Sequence, residues 1–138
     1  MNKAPKYWNK AKKYLSKKDQ TLSKLIKSYE SPSETILTSR RDIFFSLCKS
    51  IIGQQISVAA ANSVFSKFKK KCKNKITAKT VSNLTFAQLK SCGLSRQKVL
   101  GIKGLAKQTI EKTFNPKLID KMSDEEAISY LSQLKQIG

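Results

Sequence analysis

Asp42-Ile43-Phe44-Phe45-Ser46-Leu47-Cys48-Lys49-Ser50-Ile51-Ile52-Gly53-Gln54-Gln55-Ile56-Ser57-Val58-Ala59-Ala60-Ala61 reads as two helices joined by a polar, uncharged turn. In its first half, Ile43, Phe44, Leu47, Cys48, Ile51 and Ile52 recur at one- and four-residue steps, which places them on one broad helical face. Asp42 has the chemistry of an N-cap. The apolar face stops at Gly53, and Gln54 and Gln55 follow. Ser57 then caps a second helix, along which Val58, Ala61, Phe65 and Phe68 repeat at helical spacing. Glutamines at such a corner have two readings. They can simply solvate it, or they can offer uncharged donors and acceptors to a base edge or to the space that a displaced base leaves.

The charge of the chain bears on that choice. Of 138 residues, 28 are Lys or Arg and 9 are Asp or Glu, a net charge of +19. No acidic residue lies between Asp42 and Glu111, an interval that contains thirteen lysines and arginines. A mixed-charge solvated surface would not segregate its signs in this way. The pattern points to a polyanion, nucleic acid first, with lysine-biased composition as the competing explanation. Such contacts position a partner without reading its sequence. The chain lacks histidine, and Cys48, Cys72 and Cys92 form no close pair. That pattern excludes the usual zinc spacings, Cys/His or Ser/His catalysis and a disulfide framework. No apolar run approaches the ~18 residues of a membrane span, and the basic start lacks the apolar core of a secretion signal. The expectation is a single soluble protein with no membrane contact, no metal and no cofactor, cytoplasmic (nucleoid-associated) or nuclear rather than secreted, and monomeric.

The rest of the chain reads as helices, giving an all-α fold. Trp8, Ala11 and Leu15 start a first helix after Pro5. Asp19 caps a second, with Leu22, Leu25, Ile26 and Tyr29 along one side. Ser31-Pro32-Ser33 breaks the chain, and Thr38-Ser39-Arg40-Arg41 leads into the central helix. Lys67-Phe68-Lys69-Lys70-Lys71-Cys72-Lys73-Asn74-Lys75 is expected to end the helix after Ser57 and form an exposed basic loop. Thr85 caps a short helix through Leu89, closed by Gly93. Ser95 caps the next, with Val99, Ile102, Ala106 and Thr109 or Ile110 on one side, until Asn115-Pro116 breaks it. Ser123-Asp124-Glu125-Glu126 is a capping box, and its helix is expected to carry Ala127, Ile128, Leu131 and Leu134 inward. The division is 1–36 for the N-terminal helices and 37–138 for a helical core.

Ile51-Ile52-Gly53-Gln54-Gln55-Ile56-Ser57-Val58-Ala59-Ala60-Ala61 resembles the signature stretch of the DNA-3-methyladenine glycosylase II family, alkylbase glycosylases of the helix-hairpin-helix superfamily. Cys92-Gly93-Leu94-Ser95-Arg96-Gln97-Lys98 is similar to that family's Gly-Leu-Ser-x-x-Lys turn. Tyr7-Trp8, Ala11, Leu15, Asp19, Leu22 and Leu25-Ile26 resemble its N-terminal helices, and Leu105-Ala106 fits a pair further along. Leu131-x-x-Leu134-Lys135-Gln136-Ile137-Gly138 resembles the approach to its hairpin. The resemblance implies that the turn enters the DNA minor groove beside a lesion and that Gln55 takes the place of a flipped-out nucleotide. It gives Gln54, Gln55 and Ser57 DNA-side roles, with Arg96 and Lys98 as weaker phosphate candidates, since basic residues at a helix start can also be plain surface. The partner would be double-stranded DNA bearing alkylated bases.

In this family the hairpin continues beyond its first glycine, and a catalytic aspartate follows it. The chain stops at that glycine, so the expectation is an N-terminal part that carries no catalytic residue and leaves part of the face bearing Phe44, Leu47 and Ile51 exposed. Iron–sulfur relatives use four C-terminal cysteines, for which nothing here serves. Glu125, Glu126 and Asp42 are explained as helix-start residues. Three functions are therefore expected to compete: an alkylpurine glycosylase of base excision repair, a DNA-binding remnant without catalysis, and a basic RNA-associated helical protein.

Overall fold

Residues 4–29 and 42–137 are described by a computed structural model. They form two compact units, one on either side of the junction between residues 41 and 42. The break at 31–33, the linker at 38–41, the 36/37 boundary and Gly138 lie outside the described residues.

The first unit is a helical hairpin, α1 (Trp8–Lys18) and α2 (Gln20–Tyr29). Asp19 is extended and ends α1, and its carboxylate accepts the Leu22 amide at 2.8 Å as the start of α2. Trp8, Ala11, Leu15, Leu25, Ile26 and Tyr29 line an apolar groove of about 350 Å³ on this hairpin.

The second unit is built around α3 (Ile43–Gly53). Asp42 caps it, accepting the Phe45 amide at 3.0 Å. The cap and the apolar periodicity act together: the first turn is fixed and one face is left to bury. Phe44, Leu47, Cys48, Ile51 and Ile52 are all buried. The exposed apolar face expected from the sequence is absent, since Phe44, Leu47 and Ile51 are 6%, 8% and 0% exposed. The reason is that α3 packs against α4 (Val58–Lys71), α7 (Arg96–Ile110) and a 3-10 helix, Pro116–Lys121. Ile119 of that 3-10 helix joins the same core. Pro116 therefore starts an element, while α7 has already ended at Ile110, with Lys112 in a left-handed conformation (φ 60°).

Two short helices, α5 (Ala78–Ser82) and α6 (Phe86–Lys90), each begin with a capping box, Thr77 with Thr80 and Thr85 with Gln88. Val81 and Leu89 anchor them in the core. Gly93 follows α6 at φ +96°, a backbone conformation that glycine adopts without strain.

Three expectations about side-chain direction change. The segment 67–71 is helical rather than a loop, because Phe68 and Cys72 continue the apolar stripe of α4 and are 0% and 1% exposed. Lys73 and Asn74, both at positive φ, then end it. Val58 faces outward at 78% exposed, since it opens α4 at the turn and lies past the end of the buried stripe. In α8 (Asp124–Ser132), Ile128 is 68% exposed, while Tyr130 and Leu131 pack on the core. Tyr130 stacks on Phe114 with ring centres 5.3 Å apart, and its hydroxyl accepts the Asn115 amide at 2.8 Å. The aromatic pair sets the rotation of α8, and Ile128 is turned away by it.

Candidate nucleic-acid interface

The turn between α3 and α4 is short and tightly held. Gln54 is extended, and Gln55 follows at φ 57°, in the left-handed region. A side chain there costs about 1 kcal/mol or more and persists only where the surroundings enforce it. Three contacts do so. The Lys98 ammonium, reaching across from the first turn of α7, donates to the carbonyls of Ile52 and Gln54, both at 2.8 Å. The Gln54 side-chain amide donates to the Gln136 carbonyl at 2.6 Å. Ser57 accepts the Ala60 amide at 3.2 Å and starts α4.

Gln136 is itself fastened, its amide donating to the Gln97 side-chain oxygen at 3.2 Å. Its side chain lies close over α7 at Gly101. A Cβ at that position would stand 2.7 Å from the Gln136 Cγ and 3.1 Å from its Cβ. Only glycine lets the segment after α8 approach α7 this closely, and that approach brings the Gln136 carbonyl to Gln54.

The result is a braced corner with a bare tip. Gln54 is half-buried and its side chain is committed, whereas Gln55 is exposed and, among the described residues, no hydrogen bond engages its side chain. Ile56 and Val58 beside it are 41% and 78% exposed. A polar side chain that can pair with a base edge, flanked by apolar ones that can lie against base faces, suits insertion between stacked bases.

Electrostatics favour the same surface. The C-terminus of α3 is a negative dipole end, and Lys98 neutralises it. The N-termini of α4 and α7 are positive ends. Arg96, exposed in the first turn of α7, adds a cation there, next to the Ser95 cap.

Of the residues singled out in the sequence, Gln54, Gln55, Ser57 and Lys98 thus come together at one corner. Arg96 sits at the start of the same helix as Lys98. Their jobs differ. Gln55 and Arg96 face solvent, while Ser57 and Lys98 use their polar atoms on the backbone. Ile56, Val58, Gln97 and Gln136 were missed. Exposed apolar residues next to a helix-breaking pair are a readable signal for the first two. Nothing local connects Gln136 to a residue 82 positions earlier.

The acidic residues do structural work where their contacts are known. Asp42 and Asp19 accept amides at helix starts, Glu126 accepts the Ser123 amide at 2.8 Å, and Glu111 lies 3.8 Å from Lys107. Among the described residues no group of three His, Cys, Asp or Glu side chains could hold a metal ion. The thiols are buried. Burial pushes Cys48 far above the ordinary thiol range and Cys72 up to about 11, so both stay protonated at neutral pH.

The chain is 29% identical over 120 residues to DNA-3-methyladenine glycosylase 1 of Schizosaccharomyces pombe, covering 85% of this chain and 51% of that protein. It is 32% identical over 95 residues to the alkylbase DNA glycosidase-like protein mag2 of the same organism, covering 66% of this chain and 45% of the relative. Among solved structures, an S. pombe 3-methyladenine DNA glycosylase in complex with abasic DNA superposes with a TM-score of 0.78 at 27% identity, over 94% of this chain and 64% of that one. The chain spans about half the length of the curated relatives it matches. The family match runs over residues 48–136, from the last turns of α3 to the segment that braces Gln54. The chain belongs to the HhH-GPD superfamily of base excision DNA repair proteins.

Proposed function

We propose that this chain is the DNA-facing segment of an alkylpurine DNA glycosylase of the DNA-3-methyladenine glycosylase II type. The observation that carries the reading is Gln55: exposed, left-handed and set on a turn that three separate contacts hold in place. The turn enters the minor groove of double-stranded DNA, and Gln55 fills the space of an alkylated nucleotide that swings out. Hydrolysis of its N-glycosidic bond then leaves an abasic site. Flipping costs a few kcal/mol of unstacking, and a wedge that is already shaped for the vacated space offsets part of that cost. The protein works as a monomer wherever the genome lies, in the nucleoid or the nucleus.

A second reading, DNA binding without base release by these 138 residues, is favoured by the carboxylates. In the unit that carries Gln55, Asp42 and Glu126 are spent on helix starts and Glu111 lies beside Lys107, so each has a structural role. Assaying methylated-purine release from alkylated duplex separates the two.

The wedge is tested by Gln55→Ala, with binding to matched abasic and intact duplexes followed by fluorescence anisotropy. The substitution is expected to weaken abasic binding about tenfold, equivalent to ~1.4 kcal/mol, and to change intact binding less than about twofold. An equal loss on both duplexes would remove Gln55 from the wedge role.

A further inference from the structure

A second surface stands apart from the Gln55 corner. At the far end of α4, Lys67, Lys70 and Lys71 line a shallow cleft of about 390 Å³ whose other wall is Ser91 and Cys92, just past α6. Lys67 and Lys71 are one helical turn apart, so their charges repel along the helix. No carboxylate lies between Asp42 and Glu111 in sequence, and none pairs with these lysines among the described residues. The helix dipole accounts for cations in a last turn. It does not account for their convergence on a cleft.

The electrostatics at Cys92 express that convergence. The Cys92 thiol is raised by burial, yet the charges of Lys71 and Lys67 both pull it back down, so both ammonium groups act on the same point. Beside that wall the Gly93 backbone packs closely on α4, where an added Cβ would meet the Val64 side chain at 3.2 Å. The cleft therefore concentrates positive potential against an uncharged wall, Ser91 and Cys92.

We propose that this cleft binds a backbone phosphate of the same duplex DNA that meets the Gln55 turn, several base pairs away. The proposal rests on the reading of the corner as a DNA wedge, because α4 itself links the two surfaces. Its N-terminus is at the turn and its C-terminus is at the lysines. Fourteen residues at ~1.5 Å each separate the two surfaces by about 20 Å, and the proposal lays α4 along the duplex, where that span is about six base pairs at ~3.4 Å per step. The contact carries no sequence information. It lengthens the footprint on one side of the lesion and holds the register of the wedge.

The test is the salt dependence of DNA binding by the full chain and by Lys67→Gln/Lys71→Gln. Two duplexes are used, of about 30 and about 8 base pairs, each with a central abasic site; the shorter ends before it reaches the cleft. On the long duplex the double substitution is expected to lower the slope of log K against log salt by about 1. On the short duplex the slope should be unchanged. An unchanged slope on the long duplex, or an equal drop on both, would overturn the proposal. If the wild-type chain binds intact and abasic duplexes equally but the substitution still lowers the slope on the long one, the wedge reading fails and the cleft stands. A wild-type chain that binds no duplex overturns both.

Discussion

Phe68→Ala is expected to destabilise the unit around α3 by about 4 kcal/mol, in the range for removing a fully buried ring. Phe68 is 0% exposed and is the largest of the fully buried side chains. Its ring continues a line of aromatics from α3 into α4: Phe45 meets Phe65 edge-on at 5.3 Å, and Phe65 lies 6.3 Å from Phe68. Alanine at this position leaves a cavity in a cluster whose members Ile51, Val81, Leu89 and Ile102 are themselves fully buried, so collapse to fill it is restricted. A loss of this size is a large part of the ~5–15 kcal/mol that holds a domain folded. The urea midpoint should fall steeply with little change in m. Val58→Ala, in the same helix but on an exposed residue, supplies the contrast and should change stability by less than about 0.5 kcal/mol. A small effect at Phe68 would mean that α4 is not anchored as described and that residues 67–71 form a loop after all.

Lys98→Met is expected to cost about 2 kcal/mol and to abolish the preference for abasic DNA with it. Methionine keeps most of the apolar stem and deletes the ammonium. The carbonyls of Ile52 and Gln54 then lose charge-assisted hydrogen bonds, each of a kind worth roughly 1.5–3 kcal/mol, with water recovering part of the loss. The negative end of α3 is also left bare beside incoming phosphates. Without the ammonium, one of the three contacts that impose the left-handed Gln55 is gone, and the turn can relax. Lys103→Met separates stability from function. Lys103 makes a similar bond to the Leu84 carbonyl at 2.6 Å, away from the Gln55 turn. It should lower the melting temperature and leave the ratio of abasic to intact binding unchanged. If both substitutions change that ratio alike, Lys98 acts through global stability rather than by positioning the turn.

Much of the architecture was legible because short-range rules sufficed for it. Asp19, Asp42, Ser57, Thr85, Ser95 and Ser123 all cap helices, since one side-chain oxygen and one amide three residues on decide the matter. The face of α3 was readable for the same reason, from the helical period alone. The errors arose where a distant element decided the outcome. Phe44, Leu47 and Ile51 are buried because α4, α7 and the 3-10 helix at Pro116–Lys121 all pack on α3, and for the last of these a proline after a polar run gave only a break. Ile128 faces outward because the Phe114–Tyr130 stack turns α8. The lysine-rich end of α4 hid a helical turn, since Phe68 and Cys72 anchor it from within.

The candidate site followed the same division. Gln54 and Gln55 stood out as an uncharged pair at a helix corner, but their different fates did not. Gln54 is spent on the Gln136 carbonyl, and Gln55 is left for a partner. Lys98 has the composition of a phosphate contact, while its position shows it holding the turn. Ammonium groups serve either purpose, and only three-dimensional reach distinguishes them.

The most direct measurement is the affinity of the 138-residue chain for a duplex with one central abasic site, against the same duplex intact, at one fixed salt concentration. A braced wedge has no base to unstack at an abasic site and the full unstacking cost at an intact one. The abasic duplex should therefore bind at least about tenfold more tightly, a difference of ~1.4 kcal/mol. Equal affinity for the two would contradict the account: the glutamine corner would then be a solvated turn on a basic helical protein, with no part in displacing a nucleotide.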